Sequence, residues 1–188
     1  MPVVSSNNSD PGQAKKHIRQ LNLKSLCEHA ARTPHGAFVE IGVYRGVSAM
    51  SLSEVARAQD RGPIYLYDTF QGIPYADPEL DQECPVGRFS ATSVECVKQS
   101  VPDSVIIKGV FPESLIPMPP VAFVHADADQ YRSTRAICEV MPRFMVPGGI
   151  IYFDDWALKG CRQAVIECFG MDRITVIPRR RKAFVVFA

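Results

Sequence analysis

From about residue 37 the chain alternates short apolar runs with stretches whose apolar residues recur every three to four positions. The short runs have strand length and the longer stretches have helical period, which together predict an α/β fold built on a mostly parallel sheet. A first helix is expected over about residues 13 to 32, with Ile18, Leu21 and Leu26 inward. Ala37 to Val43 reads as a buried strand. Gly46 then opens a helix whose inner face carries Leu52, Val55 and Ala56. Pro63 to Asp68 is the second strand. Residues 70 to 90 hold Gly72, Pro74, Pro78, Pro85 and Gly87 and predict a long loop, a length that usually signals function or disorder. A helix over about 91 to 100 and strands at Val105–Ile107 and Val121–Val124 follow.

Ser133 to Phe144 predicts a helix with Ile137, Val140, Met141 and Phe144 on one face, disturbed near its end by Pro142. Pro147-Gly148-Gly149 is read as a turn into a strand at Ile150–Phe153. Cys161, Ala164, Val165 and Cys168 mark one more helix. The ending differs. Ile174–Ile177 and Ala183–Phe187 are two strands with only a short basic link between them, so they must pair as an antiparallel hairpin. The link, Arg179 to Lys182, reads as a solvated turn in preference to a nucleic-acid contact.

Composition changes this picture little. The 188 residues suit one domain, with residues 1–12 expected as a disordered lead-in and 13–188 as the folded unit. A net charge of +1 gives no reason to expect nucleic acid or a membrane surface as partner. No apolar run reaches the roughly 18 residues of a bilayer span. The six cysteines form no CxxC pair or zinc spacing, and Cys138, Cys161 and Cys168 fall in apolar patterns. They read as core residues of a cytoplasmic protein in a reducing compartment. A homodimer is the default expectation for a soluble enzyme.

Candidate chemistry lies at the expected strand ends. Glu40-Ile-Gly42-Val43-Tyr44-Arg-Gly46-Val-Ser48 joins the first strand to its helix. Gly42 permits a tight turn against a ligand, and Glu40 suits a ligand ammonium better than a pyrophosphate. The spacing is not G-x-G-x-x-G, which weakens a dinucleotide reading. An ordinary turn with an exposed glutamate is the competing reading. Asp68, ending the second strand, is placed to hold ribose hydroxyls, or else caps a turn. Asp127 and Asp129 follow the fourth strand, and Asp154 and Asp155 the fifth. Such neighbouring carboxylates repel one another, and a hard divalent cation with oxygen ligands, Mg²⁺ by default, resolves the conflict. Solvated loop caps are the alternative. His125 reads as a structural histidine ahead of a base or ligand. Tyr131 and Trp156 could line a pocket or simply pack.

Five segments in order resemble one family. They are Phe38 to Gly46, Asp68-Thr-Phe-Gln-Gly-Ile-Pro74, Lys108-Gly-Val-Phe-Pro-Glu-Ser-Leu115, Asp127-Ala-Asp129-Gln-Tyr131-Arg-Ser133-Thr, and Pro147-Gly-Gly149 through Asp155. They resemble the class I S-adenosylmethionine (SAM)-dependent methyltransferases, and within them the macrocin O-methyltransferase (TylF-like) family. Gln130 and Trp156 depart from that family's usual Leu and Tyr. The resemblance implies a Rossmann-like, mostly parallel seven-stranded sheet ending in the antiparallel hairpin. It implies SAM held by Glu40, Gly42, Val43, Tyr44, Gly46, Ser48, Asp68, Thr69 and Asp127. It implies a metal on Asp127, Asp154 and Asp155, with Asp129 as general base. The implied reaction is methyl transfer to a hydroxyl of a small molecule, a sugar or other vicinal diol of natural-product biosynthesis. Readings still open are a different reaction on the same fold and a non-catalytic module that binds SAM or a nucleoside; SAM binding would separate these from a nicotinamide-dependent oxidoreductase.

Overall fold

The computed structural model describes residues 11–188. The expected lead-in lies almost wholly outside the described residues. Its last two positions, 11 and 12, instead begin helix α1, Pro11–Ala31. The order continues with β1 Ala37–Ile41, α2 Val47–Ala58, β2 Tyr65–Asp68, α3 Val94–Ser100, β3 Val105–Lys108 and β4 Val121–Ala126. Then come α4 Tyr131–Val140, β5 Met145–Phe153, α5 Lys159–Phe169, β6 Thr175–Ile177 and β7 Lys182–Val186. No described helix is long and apolar enough to cross a membrane.

The strands form one seven-stranded sheet in the order β3-β2-β1-β4-β5-β7-β6. β1 to β5 pair in parallel, while β7 runs antiparallel to both β5 and β6. This is the sheet that the strand pattern and the terminal hairpin predict.

Each face carries its own apolar layer. Leu26 and Ala30 of α1, Leu52 and Ala56 of α2, and Val97 of α3 pack on Phe38, Leu66 and Phe123. Ile137 and Met141 pack with Val165 and Phe169 of α5 on Val39, Ile41, Val124 and Ile151 across the sheet. Strands covered on both faces become continuous apolar runs, which is why β1 and β4 are buried along their whole length.

Some expectations are corrected. Ile18 is 56% exposed; α1 buries its apolar side only toward its C-terminal half, at Leu26 and Ala30. Pro142 does not merely disturb the last turn of α4: it sits in a separate 3-10 turn, Met141–Phe144. Pro147-Gly-Gly149 lies inside β5. The register jumps from Val121↔Met145 to Phe123↔Ile150, so the extra residues of β5 bulge out there. β4 runs two residues past the expected end and takes in His125 and Ala126.

Candidate active site

The parallel ladder carries its hydrogen bonds past the strand ends and so fixes the loops above them. Gly42 N–H donates to the Tyr67 carbonyl at 2.9 Å, Asp127 N–H to Ile41 at 2.9 Å, and Asp154 N–H to Ala126 at 3.0 Å. The turns after β1, β2, β4 and β5 are therefore neighbours at the carboxyl-terminal edge, where open α/β sheets bind ligands. They enclose a cavity of about 310 Å³. Gly42, Tyr44, Asp68 and Thr69 form one wall, and Asp127, Asp129, Asp154 and Asp155 another.

Gly42 has φ 91, and a Cβ there would lie 1.8 Å from the carbonyl oxygen of Asp127. Only glycine allows this turn to touch the acid-bearing loop backbone to backbone. Asp68 organises the same turn. Its Oδ2 accepts from the amides of Val43 at 2.7 Å and Tyr44 at 2.8 Å, and its Oδ1 accepts from Phe70 at 2.7 Å. It is thus both the turn cap and a group on the cavity wall.

The cavity wall does not include Glu40, Val43, Gly46 or Ser48. Glu40 is completely buried, which also removes the reading of an exposed glutamate. It shares the sheet face of Phe38 under α2, so its carboxylate accepts from the Ser48 hydroxyl and lies 3.2 Å from His125 Nδ1. Val43 is core, and Gly46, with φ 77, is the N-cap of α2.

The acids converge. Carboxylate oxygens of Asp127, Asp154 and Asp155 all lie within 4.8 Å of one another. Asp129 takes a left-handed conformation at φ 61, with its amide donating to Asp155 Oδ2 at 3.0 Å. Backbone strain of this kind collects at functional sites. Burial raises Asp155 to about 7, and the charges of Asp129 and Asp154 add to it. Burial likewise raises Asp129 to about 6, against the opposing pull of the Cys84 thiol and Arg88. Asp127 is pushed well above the usual carboxylate range by burial and then by Asp154 and Asp155. Asp154 goes the other way, to about 2. Burial works against its charge, but His125 and Lys182 outweigh it.

His125 is 1% exposed, and its Nε2 lies 3.7 Å from Asp154 Oδ1. Both contacts are ion-pair distances without aligned hydrogen bonds. Burial opposes its protonation, yet the two acids raise it well above the usual imidazole value.

The long loop, whose length predicts function or disorder, supplies much of the remaining wall, and Gly109, Val110 and Phe111 after β3 supply another part. Gly72, Ile73, Pro74, Tyr75 and Phe89 line the cavity. The loop is pinned to α4. The Gln130 amide donates to the Tyr75 carbonyl, and Tyr131 N–H donates to Asp81 Oδ1 at 2.8 Å. Arg132 lies over the Tyr75 ring at 4.4 Å. Cys84 brings its thiol to 3.6 Å from Asp129 Oδ1. No local pattern in the loop marks Tyr75 or Cys84, because their partners are more than forty residues away in sequence. Trp156 is core, and the Tyr131 hydroxyl turns out to Glu167, so neither lines the cavity.

The model of the macrocin O-methyltransferase (TylF) family matches residues 13–176. The chain belongs to this family. Among curated relatives, the 8-demethyl-8-(2,3-dimethoxy-alpha-L-rhamnosyl)-tetracenomycin-C 4'-O-methyltransferase of Streptomyces olivaceus is 31% identical over 153 residues, covering 72% of this chain and 58% of that one. The mycinamicin III 3''-O-methyltransferase of Micromonospora griseorubida is 28% identical over 167 residues, covering 78% and 65%. The chain thus spans about three fifths of the length of these relatives. The calicheamicin methyltransferase CalS11 shares the fold at a TM-score of 0.72 and 20% identity, covering 93% of this chain and 80% of that one. The O-methyltransferase NovP does so at 0.71 and 22%, covering 91% and 80%. The class I methyltransferase fold expected from the motifs is therefore the fold of this TylF-family chain.

Proposed function

We propose that this chain is a SAM-dependent, cation-assisted O-methyltransferase whose acceptor is a hydroxyl on a sugar or other vicinal diol of a small natural product. The convergence of Asp127, Asp129, Asp154 and Asp155 on the wall facing Gly42 and Asp68 carries the reading. The family match and the sugar O-methyltransferases among the relatives support it.

The donor set fits a divalent cation. Asp127, Asp154 and Asp155 offer only carboxylate oxygens, and Asp127 and Asp155 are raised by burial and then by the neighbouring carboxylates, a conflict that a bound cation would relieve. These three would hold the ion, Mg²⁺ by default. When bound, it would make a substrate hydroxyl a better proton donor. SAM would lie along Gly42, Tyr44, Asp68 and Thr69, with its sulfonium supplying the methyl group.

The chain's own residues do the remainder. Asp68 and the Val43–Tyr44 amides fix the turn, so the donor side of the cavity is preformed. Tyr75 and Phe89 line the cavity with aromatic surface, which would help to keep water from the reacting groups. The acceptor oxygen forms its bond to the methyl carbon as the carbon–sulfur bond breaks. The hydroxyl proton passes to the carboxylate of Asp129, whose value near 6 keeps it an available base at neutral pH.

Asp129→Asn tests the base. Turnover should fall about 10³-fold, within the range of general-base removal. SAM affinity by calorimetry should stay unchanged. Full activity in this variant removes Asp129 from the mechanism. SAM consumption screened against sugars, vicinal diols and catechols with added Mg²⁺ identifies the acceptor class. Failure of the wild-type chain to bind SAM at all defeats the proposal.

A further inference from the structure

Lys182 does not behave as part of a solvated basic link. Arg179 and Arg181 are exposed, but Lys182 is 8% exposed and is the first residue of β7. The antiparallel register pairs Phe153 with Ala183, so one step further sets Lys182 beside Asp154. Its ammonium donates to the Asp154 backbone carbonyl at 2.7 Å and to the Oδ2 carboxylate oxygen of the same residue. A buried lysine is costly unless paired, and an apolar residue would start a strand as well. The pairing is with a single residue, held at two points.

The two points matter together. Gripping the carbonyl fixes the main chain just beyond β5, and gripping Oδ2 stops the carboxylate from turning. Oδ1 accepts no hydrogen bond and lies 3.7 Å from His125 Nε2, and Asp154 brings a carboxylate oxygen within 4.8 Å of those of Asp127 and Asp155. We propose that Lys182 is a positioning residue that clamps Asp154 through its carbonyl and Oδ2, so that Oδ1 faces the cation held with Asp127 and Asp155. The proposal rests on the cation reading given above. It adds a residue from the hairpin, the part of the sheet farthest from the cofactor turn, to the machinery that orients the ligands. Partners behind metal ligands typically change affinity 10- to 100-fold when removed.

A lysine near a cation also repels it, so removal has two opposed consequences and the sign of the change separates them. Mn²⁺ titration followed by electron paramagnetic resonance reads the affinity directly, with no turnover required. Wild-type protein that binds no Mn²⁺ at the site defeats the cation reading itself. If wild type binds, Lys182→Met should raise the Kd for Mn²⁺ about tenfold while SAM affinity is kept. An unchanged or lowered Kd overturns the clamp and leaves the cation reading standing. A parallel loss of SAM affinity marks a general structural effect and also overturns it. In an Asp154→Asn background, adding Lys182→Met should produce no further loss, because the lysine acts through Asp154. A second tenfold loss there overturns the proposal. Should the Met variant fail to fold, Lys182→Gln, shorter and uncharged, should likewise raise the Kd about tenfold; an unchanged or lowered Kd in it overturns the clamp.

Discussion

Two walls of one cavity meet their polar needs in opposite ways. The turn after β1 is complete in itself: Asp68 accepts from three backbone amides, and those amides need nothing further. The acids after β4 and β5 are incomplete. Asp127, Asp129 and Asp155 are all raised because each is buried among other carboxylates. Only Asp154 has a full complement of positive neighbours. A wall satisfied by its own backbone is ready before any ligand arrives. A wall of uncompensated charge is finished by what binds to it, and its stability and affinity should answer to pH and to cations.

The walls meet where Gly42 touches the Asp127 carbonyl, and this contact is the most damaging place to intervene. Gly42→Ala forces a Cβ into that oxygen and a side chain into a left-handed conformation. It should destabilise the fold by about 3 kcal/mol or more, read as a lower denaturant midpoint. Near-normal stability would show that the two walls can separate freely.

Asp68→Asn acts on the finished wall alone. The amide keeps the size but loses the charge and turns one of the two acceptor oxygens into a donor facing an N–H, so SAM affinity should fall about tenfold, as for losing charge-assisted hydrogen bonds. Mn²⁺ affinity should not move. A joint loss would erase the distinction between the walls.

The smallest effect concerns the other wall. Asp155 near 7 and Asp129 near 6 lie above the ordinary 3.8, so the folded, metal-free chain holds these protons more tightly than the unfolded chain. Their stabilising contribution is complete below about pH 4 and is lost as pH rises through 6 and 7. The raised His125 has the same sign. Asp154 has the opposite sign, but its window lies between about 4 and 2. EDTA-treated protein should therefore melt a few degrees higher near pH 5.5 than near pH 8, and Mg²⁺ should stabilise more near pH 8. Thermal scans at both values check this. An Mg²⁺ response that is equal at both would show that the carboxylates carry no mutual strain.

How far these features could be read in advance follows from their range in sequence. Strand ends are local, so Asp68, Asp127, Asp154 and Asp155 could be placed at the ligand edge from the apolar runs before them. The absence of a helix between β6 and β7 was equally local and forced the antiparallel hairpin. The direction of Glu40 was not local. It depends on which face of β1 lies under α2, and a carboxylate in an apolar run reads the same either way. Lys182 was hidden among three arginines, and only the register of β7 on β5 separates it from them. Tyr75 and Cys84 belong to a loop with no period, and they acquire a role only through contacts with residues on α4 and the loop before it.

β7 lies between β5 and β6 in the sheet although it is made after both. During synthesis β6 therefore has no strand to join, and β5 exposes its outer edge, with Tyr152 and Phe153, until residues 182–186 have left the ribosome. Domains otherwise tend to consolidate from the amino-terminal side as they emerge. Here the aspartates would emerge well before their lysine. A nascent chain stalled in that interval would be an almost complete sheet with an additional unpaired edge at β5, a form that chaperones and aggregation compete for.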